Sequence, residues 1–206
     1  MASAPALEDI LDTELAWWTS SNECFGAAVA AASKPEAGDL PIDPRELRNA
    51  LGRFATGVCV VTTRTAAGHV AGLTVNSFSS VSLDPPLVAW CLGRKALSLG
   101  AFSRADYFAV HVMAADQHDL TMHFARPAQD KFAQVQDEFE VGIGEVPVLK
   151  NPLARFECRK ASVVEGGDHL IFIGRVERFL YSDRPPLLFH AGRFLDRATS
   201  QRASER

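Results

Sequence analysis

The chain has 206 residues, 47% of them hydrophobic, with a net charge of −4 and a pI near 5.9. That length suits one domain with an appendage, or at most two small ones, with enough apolar mass for a core. The acidic balance and the absence of a basic stripe argue against nucleic acid or an anionic membrane surface as a main partner.

Residues 1–40 read as a helical arm and linker, distinct from the rest of the chain. In "LEDILDTELAWW", Leu7, Ile10, Leu11, Glu14, Leu15 and Trp18 stand at spacings compatible with an amphipathic helix. "CFGAAVAAAS" is a second short helical candidate, and "SKPEAGDLP" concentrates Pro, Gly and charge as linkers do. An arm packed on a partner subunit and a frayed extension or local cap are both open readings. The start carries acids in place of the basic region of a signal peptide, so no export is expected.

Residues 41–196 form the expected main domain, and 197–206 a polar C-terminal tail. Asp43 is a natural N-cap, Pro44 suits the first helical turn, and Glu46 would complete a capping box, with the helix ending near Gly52 to Phe54. "TGVCVVTTRTAAGHVAGLTV" then predicts two strands joined by a turn at Ala66 to Gly68. "PPLVAWCLG" predicts a buried strand, "KALSLGAFSRA" a short helix and "DYFAVHVMA" another strand. Asp116 can cap the helical "QHDLTMHFAR". "ARFECRKASVV" and "HLIFIGRVERFLYS" flank "EGGD" as a hairpin, and "PPLLFHAGRF" closes the fold.

Many strands with only short helices between them exclude a regular βαβ alternation. The economical solution is mainly β: an antiparallel Greek-key barrel with peripheral short helices and an N-terminal helical extension, since closure removes sheet edges. Cys24, Cys59, Cys91 and Cys158 are scattered without C-x-x-C spacing, and three of them sit in apolar strand-like runs. Free thiols in a reducing cytoplasm fit better than a disulfide framework. No stretch reaches the ~20 apolar residues of a membrane span.

The usual catalytic patterns fail. There is no G-x-S-x-G elbow, Walker loop or H-E-x-x-H, and "GIGEVP" at 142–147 reads as a turn because Pro147 replaces the last glycine of a dinucleotide fingerprint. His118 and His123 lie five apart, which splays them on a helix and argues against a metal pair; no metal site is expected. His111 alternates with apolar residues and reads as a hydrogen-bonded core histidine. An enzyme here would import its reactive group.

The informative stretch is "AGLTVNSFSSVSLDPPLVAWCLG" at 71–93. Gly72 permits close backbone approach, and Thr74, Asn76, Ser77, Ser79, Ser80 and Ser82 are small hydrogen-bonding residues crowded ahead of an apolar run. Such a surface suits a flat, polar-edged, anionic ligand, although a solvated edge strand has the same composition. Taken in order, "LRNALGRFATGVCVVTT", "GLTVNSFSSVSLDPPLV", "GDHLIFIGRV" and "PLLFHAGRF" resemble the short-chain flavin reductases of the FMN-binding split-barrel family. These are the reductase partners of two-component flavin monooxygenases. The resemblance runs from Leu47 to about Leu195.

It implies a split barrel working as a homodimer, with one flavin, FMN or FAD, per subunit near the dimer interface. Thr74, Val75, Asn76 and Ser77 would border the isoalloxazine mainly through backbone groups, with Ser80 and Ser82 on the same wall. Cys91, Leu92, Lys95 and Ser98 would reach ribityl and phosphate. "FARPAQDKF" matches a segment that closes over the flavin, implicating Phe124, Ala125, Arg126, Lys131 and Phe132. His169 of "GDH" would serve the nicotinamide nucleotide, NADH or NADPH, with Gly192, Arg193 and Phe194 on the same side; Phe194 stands where many relatives carry Tyr. The implied activity is hydride transfer from nicotinamide to flavin, for a monooxygenase fed by diffusible reduced flavin. Reduction of another acceptor, a corrin or ferric iron, or electron transfer without NADH turnover, is the alternative.

Overall fold

The computed structural model describes residues 42–128 and 130–195, so the arm of residues 1–40 and the tail from 197 lie outside the described residues. The first element is helix α1 (Pro44–Leu51), opened by Asp43, whose carboxylate accepts the Arg45 N–H at 2.8 Å. Pro44 sits where a missing donor costs nothing. Glu46 engages Asn49 along the helix at 3.5 Å rather than forming the expected box.

After the short β1 (Thr56–Gly57) come β2 (Cys59–Arg64) and β3 (Val70–Val75), paired antiparallel from Cys59↔Val75 to Arg64↔Val70. Their turn closes through Thr65 N–H to His69 O and Gly68 N–H to Thr65 O, with Gly68 at φ +84° as the turn requires. β4 (Ser79–Leu83) and β5 (Pro86–Gly93) form the next hairpin. The apolar run predicts a buried β5, yet only Val88, Trp90 and Leu92 are buried; alternate residues face outward, which matters for the site. Helix α2 is shorter than its sequence suggests (Leu99–Arg104) and leads to β6 (Tyr107–Val112).

Helix α3 (His118–Ala125) begins after a 3-10 turn at Ala115–Gln117. Asp116 is in that turn and does not cap α3: its carboxylate pairs with Arg184, which holds it below the usual carboxylate range. The remaining strands are β7 (Phe139–Val141), β8 (Pro147–Leu149), the long pair β9 (Ala154–Gly166) and β10 (His169–Tyr181), and the closing hairpin β11 (Leu188–His190) and β12 (Arg193–Leu195). The "GIGEVP" segment is a 3-10 turn at Ile143–Glu145, as expected.

One antiparallel sheet has the order β3-β2-β6-β9-β10-β5-β4, beside a β1-β11-β12 sheet and a β7-β8 ribbon. Its two edge strands, β3 and β4, are consecutive in sequence and joined by only residues 76–78, so the sheet must curl until its edges meet. That is the split in the barrel. The expected antiparallel barrel is what forms.

Inside it, Trp90 stacks on Phe172 at 4.8 Å and meets Phe102 and Phe108 edge-on. A second apolar cluster, including Val58, Val60, Met113, Phe124 and Phe189, fills the space outside β2. β2 is thus buried on both faces from Cys59 to Thr63, and the buried Thr62 and Thr63 hydroxyls donate to Pro147 O and Tyr107 O. Beyond it lies a buried charge group: Glu157 accepts Ile143 N–H at 2.7 Å and lies 3.3 Å from Arg155, which also bonds Glu140. Each buried charge there has a partner, as burial demands.

β9 carries an extra residue, Ala161, opposite the Ile173–Gly174 step of β10, and Gly174 lies against the Phe108 ring. A Cβ on Gly174 would lie 2.3 Å from Phe108 Cζ and 2.8 Å from Cys158 Cβ. Neither neighbour has room to withdraw, since both are buried. Gly174→Ala is therefore expected to lose roughly 1–3 kcal/mol of stability by urea unfolding, as overpacked cores do. An unchanged urea midpoint would mean that the barrel relaxes there.

Candidate functional site

The site begins where β3 ends. Along β3, Leu73 and Val75 face the barrel core while Gly72 and Thr74 face α3. The Thr74 hydroxyl donates to Thr121 O at 2.6 Å, and the side-chain space at Gly72 is taken by Phe124 and Phe132. Gly72 thus permits close approach of α3 rather than of a ligand. At Asn76 the chain leaves the ladder, and residues 76–78 belong to no strand. Ser77 replaces the ladder there with its side chain, accepting Cys91 N–H at 2.9 Å and donating to Cys91 O at 3.3 Å. Phe78 turns inward and stacks on Phe156 at 5.5 Å.

Strand register builds the rest. Cys91 pairs with Ile171, Gly93 with His169 and Ala89 with Ile173, so these residues share the outer face of β5 and β10, opposite Trp90 and Phe172. Ser79 joins the face opposite Ala89, whereas Ser80 pairs with inward-directed Val88; a bulge at Val81 separates Ser80 from Ser82, which sits opposite Leu87. The result is a shallow wall of small and aliphatic side chains with Ser77 at one margin and His169 at another. Sequence reasoning missed Ala89, Ile171 and Ile173 as members of this face; the period-two alternation of β5 and "HLIFIG" was the signal that could have found them.

His169 stands at the mouth of the β9–β10 hairpin. Its Nδ1 lies 2.7 Å from Asp168 Oδ1, and that bond holds the Asp168 carboxyl below its usual range. With Nδ1 so engaged, Nε2 is directed away from the turn. After Gly93, Lys95 is exposed and Ser98 half-buried at the start of α2. The Ser98 hydroxyl is buried and lacks a partner among the described residues.

The cover segment is placed differently. Phe124 is fully buried and Ala125 nearly so; Phe132 packs on Phe124 at 5.2 Å. The buried Lys131 ammonium donates to Phe124 O at 2.9 Å, closing the carbonyl end of α3, while His123 bonds Lys131 O. Arg126, just past α3, is exposed. His118 packs edge-on against Phe194 at 4.6 Å, so His118 and His123 have separate partners. Gly192, Arg193 and Phe194 belong to the β11–β12 hairpin, in a different sheet from His169, with Phe194 packed against the cluster of Val58 and Phe189.

The thiols differ sharply in character. Burial pushes Cys59 and Cys158 up to about 12, which makes them inert hydrophobes. Cys91, on the wall, is also raised by burial, with the Ser77 bond opposing. No described group of acids, histidines and cysteines could hold a metal ion.

The chain belongs to the flavin reductase-like family, whose domain model matches residues 51–196. It is 47% identical over 150 residues to the NADH-dependent FMN reductase SmoA of Agrobacterium fabrum, covering 73% of this chain and 84% of that one. It is 39% identical to the reductase component of the flavin-dependent trigonelline monooxygenase of Acinetobacter baylyi, covering 76% of this chain but only 50% of that relative's length. Among solved structures, the NADH:FAD oxidoreductase SgcE6 of Streptomyces globisporus, in complex with NAD and FAD fragments, superposes with a TM-score of 0.69 at 37% identity, covering 76% of this chain and 96% of that one.

Proposed function

We propose that the protein is an NADH-dependent flavin reductase that supplies reduced flavin to a separate monooxygenase. The observation that carries this reading is the register that sets His169 and Gly93 on the same outer face as Cys91, itself clasped by Ser77. The names of the similar proteins support both the nucleotide and the partner.

The residues present fit a flavin. The wall of Ala89, Cys91 and Ile171 carries only small or aliphatic side chains, the backbone at Asn76–Phe78 is outside any strand, and the buried Ser98 hydroxyl lacks a bond that a ribityl or phosphate oxygen would supply. Lys95 and Arg126 are the exposed cations for an anionic tail. Lys131 already has its bond to Phe124 O in place. Bound flavin supplies the hydride acceptor for the nicotinamide C4.

The chain's own contribution is positional. The apolar wall excludes water from one side, and holding two rings at reacting distance can supply ~7–11 kcal/mol at most. Backbone N–H groups at Asn76–Phe78 favour negative charge at the ring edge they face. His169, oriented by Asp168, positions the nicotinamide nucleotide; no proton transfer by it is required.

Two further parts of the reading concern assembly and place. Leu83 is 95% exposed, and Val81, Phe179 and Tyr181 are also open to solvent on β4 and β10. A second copy of the chain is the cover proposed for them. A monomer in light scattering at micromolar concentration would count against this. Free Cys59, Cys91 and Cys158 suit a reducing cytoplasm. No helix among the described residues is long and apolar enough to cross a membrane.

Steady-state oxidation of NADH and NADPH, each with FMN, FAD and riboflavin, tests the whole. Flavin-dependent turnover with NADH preferred is the expected result. NADH left unoxidised in the presence of all three flavins would overturn the proposal.

A further inference from the structure

The turn that presents His169 is tied down by one residue of the neighbouring strand end. Arg94 comes directly after β5. Its Nε donates to Gly167 O at 2.8 Å and its backbone N–H donates to Asp168 O at 2.9 Å. Its terminal nitrogen lies 3.1 Å from Glu165 Oε1. These anchors reach residues on both sides of the hairpin tip.

A β-hairpin does not need them. The pair Gly166↔His169 already closes the strands, and the turn between holds only Gly167 and Asp168. Two adjacent glycines make the tip intrinsically loose, and Gly167 sits at φ +72°. An unrestrained tip would let Asp168, and with it the ring it orients, sample many positions. The planar guanidinium removes that freedom because one donor fork engages a carbonyl and a carboxylate together.

We propose that Arg94 is a positioning residue for the nicotinamide side of the site: it fixes the Gly166–Asp168 tip against the end of β5, so that His169 faces the same wall as Cys91. This deepens the flavin reductase reading and rests on it. Arg94 also lies between the two halves of the site, directly after the Cys91–Gly93 wall and directly before Lys95.

Three variants separate the parts. Arg94→Ala raises the KM for NADH about tenfold, as loss of a hydrogen bond to a charged donor does, while flavin affinity and kcat at saturating NADH stay within about twofold. Arg94→Lys keeps the charge near Glu165 but loses the fork, and recovers only part of the KM. Glu165→Gln changes the KM by less than about twofold, because an exposed ion pair is weak. Hydrogen exchange of the peptide spanning 164–170, measured without nucleotide, reads the tether apart from turnover and is faster in Arg94→Ala.

Faster exchange with an unchanged KM would overturn the positioning role. Unchanged exchange would overturn the tether itself. A matching loss of flavin affinity would show that Arg94 supports the wall and not the tip, and an effect of Glu165→Gln as large as that of Arg94→Ala would show that the ion pair and not the fork does the work. Wild-type protein that oxidises no NADH would overturn the functional reading and the nicotinamide role with it, while the exchange data would still report on the tether.

Discussion

His169→Ala is expected to raise the KM for NADH by about ten- to a hundredfold, the range set by losing one or two hydrogen bonds to a bound ligand. Flavin affinity should change by no more than about twofold, because His169 lies at the margin of the wall and not across it. The fold should survive the change. The His169 side chain is 42% exposed, and its ring bonds Asp168, its neighbour in sequence. Removing it therefore leaves no buried cavity and no unpartnered core atom. Initial rates at varied NADH with saturating FMN, alongside flavin titration by fluorescence quenching, separate the two affinities. Parallel loss of both would place His169 on the flavin. Loss of neither would leave the hairpin tip without a role in the reaction.

Much of the architecture was legible because its signals are local. Alternation in "ARFECRKASVV" and the glycines of "EGGD" announce the β9–β10 hairpin, and Asp43 with Pro44 announces α1. Burial on both faces was only half legible for β2, because Thr62 and Thr63 read as polar until their distant carbonyl partners are known. It was misjudged for β5, whose small outward residues Ala89 and Cys91 look as apolar as core ones. The α3 cap was also misplaced, because a distant partner, Arg184, claims Asp116, and no local pattern reveals a partner 68 residues away.

The candidate wall, as a face of the sheet, was legible in its ends and not in its middle. Ser77, Cys91 and His169 were singled out, and register brings Cys91 and His169 onto one face with Ser77 clasped to its edge. Ile171 and Ile173 were missed because an outward-facing isoleucine reads as core until strand pairing is known. Phe124, Phe132 and Lys131 were grouped with the flavin by motif order, yet tertiary packing turns the rings towards Gly72 and the ammonium towards the end of α3. Motif order carries chain position; only packing decides which way a side chain turns.

The core histidine gives the second large prediction. His111 is fully buried on β6, where Nδ1 lies 2.9 Å from Val60 O and Nε2 has no partner among the described residues. It faces Arg155 across the β6–β9 pair and the edge of Phe139 at 6.2 Å. Burial lowers its pKa from 6.5 to about 4; the Val60 bond opposes the shift and the Arg155 charge adds to it. The neutral ring therefore donates from Nδ1 to the Val60 carbonyl. Below pH 6.5 the unfolded chain takes up a proton at this position that the folded chain refuses, so stability is complete above that pH and falls as pH drops towards 4. At about 1.4 kcal/mol per tenfold change in proton affinity, the loss over that window is roughly 3 kcal/mol, and it levels off once the folded ring also protonates. Urea unfolding across a pH series from neutral down towards the folded pKa measures the slope. His111→Asn, which keeps a donor for Val60, should be less stable at neutral pH but lose much less on acidification. If the two proteins show parallel acid slopes, the proton is taken up elsewhere and His111 is not the acid-sensitive group of the barrel.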